Sequence, residues 1–118
     1  MKFFCLVTAF AFLFTPIDAV EIAKDYDEVL QAEAIRYNGE IFVAIVSKPI
    51  YLRSDSRKLC DNIKSRIEEE SGTKAYVVND FSLYIKIKSL SNLHDELREK
   101  AVQKIVKIFL KRCADERY

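Results

Sequence analysis

Four lysines set the first chemical possibility in this 118-residue chain. Lys100, Lys104, Lys107 and Lys111 recur at helical spacing. On a helix they fall along one stripe, because residues three and four apart are neighbours on the surface. A row of ammonium groups suits an anionic surface such as lipid headgroups, cell-wall polymer or nucleic acid. The plainer reading is the solvated face of an amphipathic helix, where lysines are ordinary. Few aromatic side chains stand beside these lysines, which argues against stacking on single-stranded nucleic acid. No nucleic-acid partner is expected.

Thiol chemistry is the second possibility. The chain holds three cysteines, Cys5, Cys60 and Cys113. Cys60 and Cys113 are a candidate disulfide. It would close a loop of about 53 residues and add about 4 kcal/mol if unstrained. The alternative is two buried thiols on apolar helix faces, where cysteine packs well. Spacing does not choose between them, because a disulfide depends on spatial proximity.

Catalytic and metal chemistry find little to build on. His94 is the only histidine, and Asp95 and Glu96 follow it. Consecutive residues on a helix point in different directions, so these three do not converge on one ion. A nucleophile-and-base pair would need His94 with Cys60, Cys113 or a serine, and no nucleophile elbow or oxyanion loop accompanies any of them. Glu68, Glu69 and Glu70 read as the solvated end of a helix. Gly39 and Gly72 are the only glycines, too few for a phosphate-cradling loop. No catalytic residue, metal ligand or cofactor is expected, and the chain does not read as an enzyme. The competing reading is a small secreted hydrolase or inhibitor, which would need His94 in a deep pocket with a cysteine or carboxylates.

The front of the chain bears on where this chemistry would operate. Lys2 is the only charge before Asp18, and an apolar run from Phe3 to Phe14 lies between them. A basic start, a short apolar block and a small-residue exit at Ala19 form the pattern of a secretory signal peptide. The block is shorter than the roughly twenty apolar residues that span a bilayer. The expected organisation is a signal peptide over 1–19 and one small domain over 20–118, without a transmembrane span. The expected location is extracytoplasmic: cell envelope, spore envelope or secreted. Formal net charge is +1, so no global field steers the domain toward a polyanion. A partner would be an envelope protein or an anionic envelope surface.

The elements that must position the candidate residues follow from pattern. Asp25 to Ala34 reads as a short helix with a weak apolar face. Asn38-Gly39 between β-prone runs predicts a tight hairpin joining strands at 34–37 and 41–47. The second strand is almost continuously apolar, as a central strand would be. Pro49 ends it. Ser54 or Asp55 is the expected cap of a helix to about residue 71, with Leu59, Cys60, Ile63 and Ile67 on its apolar face and Gly72 as its stop. A third strand is expected at 74–78. Phe81 to Leu90 fits strand or helix, and helix is preferred with Asp80 as cap. A last helix over 92–113 would bury Leu97, Ala101, Val102, Ile105, Ile108, Phe109 and Cys113. Glu96 and Lys100 would pair one turn apart. Together these predict an α+β fold, a three-stranded sheet with helices packed on one face.

The order hairpin, helix, strand, helix, helix resembles the sporulation lipoproteins of the YhcN/YlaJ type, from Asp27 to Lys111. The likeness lies in the apolar strand Ile41-Phe42-Val43-Ala44-Ile45-Val46, the capped helix Leu59 to Ile67, the segment Ala75-Tyr76-Val77-Val78-Asn79-Asp80 and the closing Ile108-Phe109 pair. Two departures stand out. No cysteine lies near Ala19, so the family's lipid anchor does not carry over, and Phe81-Ser82 replaces the family's common Pro-Asp. The resemblance implies a non-catalytic α+β domain outside the cytoplasmic membrane, in a sporulation or spore-envelope setting, and transfers no site residues. The expected function is a non-catalytic exported envelope protein with a structural or interaction role. The alternative is a peripheral module binding lipid or peptidoglycan.

Overall fold

The computed structural model describes residues 19–115. Residues 1–18, and with them most of the expected signal peptide, lie outside that range.

The strand predicted as central is central. β1 (Val29–Tyr37) and β2 (Glu40–Ser47) pair antiparallel, and β3 (Ala75–Asn79) pairs parallel to β2, in the order β1-β2-β3. Asn38 and Gly39 join the first two strands at φ 51° and 76°, the positive φ that a tight primed turn requires. A parallel neighbour cannot be reached by a hairpin. The crossover is α2 (Arg53–Ser71), which runs from the end of β2 back to the start of β3. Gly72 ends α2 at φ 68° and donates its N–H to the Glu68 carbonyl at 2.9 Å. The Glu68 carboxylate accepts the Ala75 N–H at 2.9 Å, which ties the end of α2 to the first residue of β3.

Side chains of β2 alternate between two buried layers. Ile41, Val43 and Ile45 meet Ala32 of β1, Ala75 and Val77 of β3, and Leu59, Cys60, Ile63 and Ile67 of α2. Phe42 and Ala44 face the other way. They meet Val78 of β3, Leu83, Tyr84 and Ile87 of α3 (Phe81–Lys88), Leu90, and Ile105, Val106 and Phe109 of α4 (Asp95–Asp115). The fold is therefore α+β with a three-stranded mixed sheet, as expected, but its helices do not all lie on one face. Both side-chain sets of β2 are apolar, so each face needs its own cover.

The start of the domain also differs from expectation. Residues 25–34 are not a helix. A helical segment (α1) covers residues 19–24, and β1 begins at Val29. Ala32 and Ala34 sit in the α2 layer while Ile35 sits in the other, a period of two that β2 pairs for its whole length. A bulge between Val29 and Gln31 restores this alternation at the strand's start. Ala19 is fully buried with Ile22 and Ala23, so the expected signal-peptide boundary abuts the core.

Helix starts are set partly by backbone. The N-cap of α2 is Leu52, not Ser54 or Asp55, and its carbonyl accepts the N–H groups of Asp55 and Ser56. Asp55 sits in the first turn, where its charge favours the helix dipole. The ambiguous stretch after Asp80 is helical: α3 starts with the Leu83 N–H donating to Asp80 Oδ1 at 3.1 Å. A 3₁₀ turn (Ser89–Asn92) separates α3 from α4, so α4 begins at Asp95. Among the described residues no helix is long and apolar enough to cross a membrane.

Candidate anionic-surface interface

The rotation of α4 about its axis decides what its lysines can do. Phe109 is fully buried and meets the Phe42 ring edge-on, with centroids 5.5 Å apart at 66°. Phe42 in turn stacks on Tyr76 at 4.9 Å and 8°. These contacts hold the Ile105, Val106 and Phe109 side of α4 against the sheet. Both ends of the helix are pinned by arginines. Arg98 donates from Nε to the Leu90 carbonyl and from Nη2 to the Leu93 carbonyl, each at 3.1 Å. Arg112 Nη1 lies 2.9 Å from Asp80 Oδ2.

With that rotation set, Lys100, Lys104, Lys107 and Lys111 are all exposed. At 100° per residue they fall within an arc of about 60°, centred roughly opposite Ile105, Val106 and Phe109, and they run about 16 Å along the axis. From Lys100 to Lys111 the chain contains no Asp or Glu. None of the four lysines joins an ion pair among the described residues. The Glu96–Lys100 pair expected from spacing is not formed. The acidic residues of α4 before Lys100 are confined to its first turns, where they suit the dipole. Leu97, expected on the buried face, is instead 55% exposed and continues the lysine row toward the N-terminus, and Leu110, 43% exposed, flanks it. The face thus combines cations that pair with no carboxylate among the described residues with two apolar side chains that the core does not use.

The other candidates separate differently. Cys60 is buried on α2 and Cys113 half-buried on α4, in layers on opposite faces of the sheet. Both nevertheless line one cleft of about 330 Å³ at the outer edge of β3, with Arg57, Asp61, Lys64 and Tyr76. His94 is exposed just before α4, and its carbonyl accepts the Arg98 N–H at 2.7 Å. It lines neither the cysteine cleft nor two further clefts among the described residues, of about 600 Å³ beside Pro49–Leu52 and about 450 Å³ beside β1. Among the described residues no group of three or more His, Cys, Asp or Glu side chains could hold a metal ion.

Elsewhere one charge cluster links α2 to the start of the domain. Arg66 on α2 bonds Glu70 and Asp25, each at 2.9 Å, and these two carboxylates raise its pKa, Glu70 most. Burial lowers that of Arg36. The arginines that pin α4 escape a reading of spacing, because their partners are carbonyls and a carboxylate from other elements. One exposed pair escaped it as well: Tyr51 and Leu52 project at 96% and 60% exposure ahead of α2. Apolar residues right after Pro49 were the available signal.

Compared with known families and proteins, the chain matches no family model and no curated protein.

Proposed function

We propose that this chain is a non-catalytic, exported interaction domain that docks on an anionic envelope surface through the outward face of α4. One observation carries the reading: four exposed lysines share an arc directly away from the core, with no Asp or Glu between Lys100 and Lys111, and take part in no ion pair among the described residues. Lysines that served only solubility would work equally well interspersed with carboxylates. Here the helix keeps one sign of charge over about three turns. Export rests on the basic, apolar and small-residue pattern of residues 1–19. A sporulation setting rests on the family resemblance alone.

A lipid surface is the favoured form of the anionic partner, because Leu97 and Leu110 border the lysines. Lysine stems can lie along the acyl boundary with their ammonium groups at the phosphates, while a leucine beside them enters the apolar layer. A soluble polymer would use the charges and leave the leucines wet. The test is co-sedimentation of the protein with vesicles of anionic lipid, at low and high salt, beside neutral vesicles and a soluble polyanion. Binding to anionic vesicles that weakens with salt and is lost in Lys104→Glu/Lys107→Glu is the expected result. Binding that survives the double reversal would remove the α4 face from consideration.

A further inference from the structure

The cleft at the outer edge of β3 holds the second arrangement. β3 ends the sheet, so its outer edge is flanked by α2 on one face and by α4 on the other. Cys60 comes to this cleft from α2 and Cys113 from α4, and Tyr76 and Val77 of β3 line it between them. The only two cysteines of the expected mature domain therefore line one cleft, where the two helical layers come round one strand edge. We infer that Cys60 and Cys113 form a disulfide that clasps α2 to α4 across the edge of β3.

Two physical consequences make this placement useful. α2 and α4 belong to separate apolar layers, each held to the sheet on its own. A covalent link would make loss of one layer depend on loss of the other. It would also cover an edge strand, the part of a sheet most exposed to pairing with another chain. The inference involves none of the α4 lysines and stands apart from the proposed docking role.

The bond forms by thiol–disulfide exchange with a small disulfide-bearing donor such as oxidised glutathione. Cys113 is the more accessible thiol, and Cys60 is 5% exposed. The Cys113 thiolate attacks the donor disulfide and forms a mixed disulfide, releasing the first donor thiolate. The Cys60 thiolate then attacks the Cys113 sulfur and releases the second. Two protons pass from the cysteines to the donor's thiolates. Two protein thiols are oxidised by two electrons, and one donor disulfide is reduced.

The test equilibrates the folded full chain carrying Cys5→Ser in an oxidised glutathione buffer. The expected product is lighter by two hydrogen atoms, and digestion yields one cross-linked peptide pair containing Cys60 and Cys113. Its denaturation midpoint rises above that of the reduced protein, by up to about a thousandfold in the folding equilibrium constant for a loop of this length. The rise disappears in Cys113→Ser. Should Cys5→Ser not be recovered, peptide mapping of the unsubstituted chain gives the same readout. Two thiols that both remain alkylatable in the folded protein after equilibration would overturn the inference. So would cross-links that join Cys5, or that join separate chains only.

Discussion

Replacing Asp80 with alanine should destabilise the domain by about 2 kcal/mol, through two separable losses. Asp80 stands where β3, α3 and α4 meet. Its Oδ1 accepts the Leu83 N–H at 3.1 Å and caps α3. Its Oδ2 lies 2.9 Å from Arg112 Nη1, the pin near the C-terminal end of α4. A lost N-cap costs about 1 kcal/mol, and here it leaves the Leu83 N–H without its partner. The ion pair is asymmetric. The Asp80 side chain is 13% exposed and that of Arg112 45%, so solvent screening holds the pair to about 1 kcal/mol. Asp80→Asn separates the terms: its amide oxygen can still accept from Leu83, and only the charge is lost, so about 1 kcal/mol should go. Arg112→Gln should cost about the same or less, and adding it to Asp80→Asn should cost almost nothing further. Urea denaturation followed by far-ultraviolet circular dichroism measures all four variants. Slopes should match the unsubstituted protein, since a domain of this size has about 5–15 kcal/mol in reserve. Asp80→Ala within about 0.5 kcal/mol of the unsubstituted chain would refute the cap argument, and equal losses for Asn and Ala would show the cap oxygen to be immaterial.

Three further expectations concern other parts of the chain. Lys104→Glu/Lys107→Glu should weaken binding to anionic vesicles at least thirtyfold, from about 1 kcal/mol for each lysine lost near the surface; Lys24→Glu/Lys58→Glu, with the same change in net charge away from α4, should weaken it far less in the same co-sedimentation assay. Gly72→Ala should lower stability by about 1 kcal/mol in urea titration, purely from its left-handed backbone at φ 68°, because beyond its chain neighbours no described atom lies within 4 Å of the added methyl; a neutral result would mean that the helix end relaxes. N-terminal sequencing of the protein recovered from its native envelope should begin at Val20, and an uncut chain recovered from the cytosol would end the export reading.

Much of the fold could be read from local pattern. Asn38-Gly39 announces its hairpin because few dipeptides tolerate two positive φ values. Gly72 and Asp80 mark helix ends through backbone conformation and a side-chain acceptor. The failures share a cause. Residues 25–34 contain small and charged residues that satisfy a helical and an alternating pattern about equally, and only the need of β2 for an antiparallel partner along its length decides for strand. The start of α2 moved to Leu52, whose backbone carbonyl takes the first helical N–H groups, and the start of α4 moved to Asp95 because a 3₁₀ turn occupies Ser89–Asn92; neither is marked by a side-chain cap in the sequence.

The covering of the sheet was legible but misread. Ile41-Phe42-Val43-Ala44-Ile45-Val46 has no polar member, and a strand whose two side-chain sets are both apolar cannot leave either face to water. A one-faced sheet would expose Phe42 and Ala44, which are almost completely buried. The same logic explains why the lysine surface could be placed in advance, whereas Cys60 and Cys113 could be named as a candidate pair but not placed. The lysine stripe lies within a single helix, where spacing converts directly to angle, and the apolar residues of that helix state which side faces inward. The cysteine cleft joins two helices assigned to opposite faces, and a picture with all helices on one face has no strand edge for them to meet around. Once β2 demands two layers, α2 and α4 must separate, and the open side of β3 is where residues from both can come together. The lysines follow from the period of one helix, whereas the cleft that Cys60 and Cys113 share follows from how the whole sheet is covered.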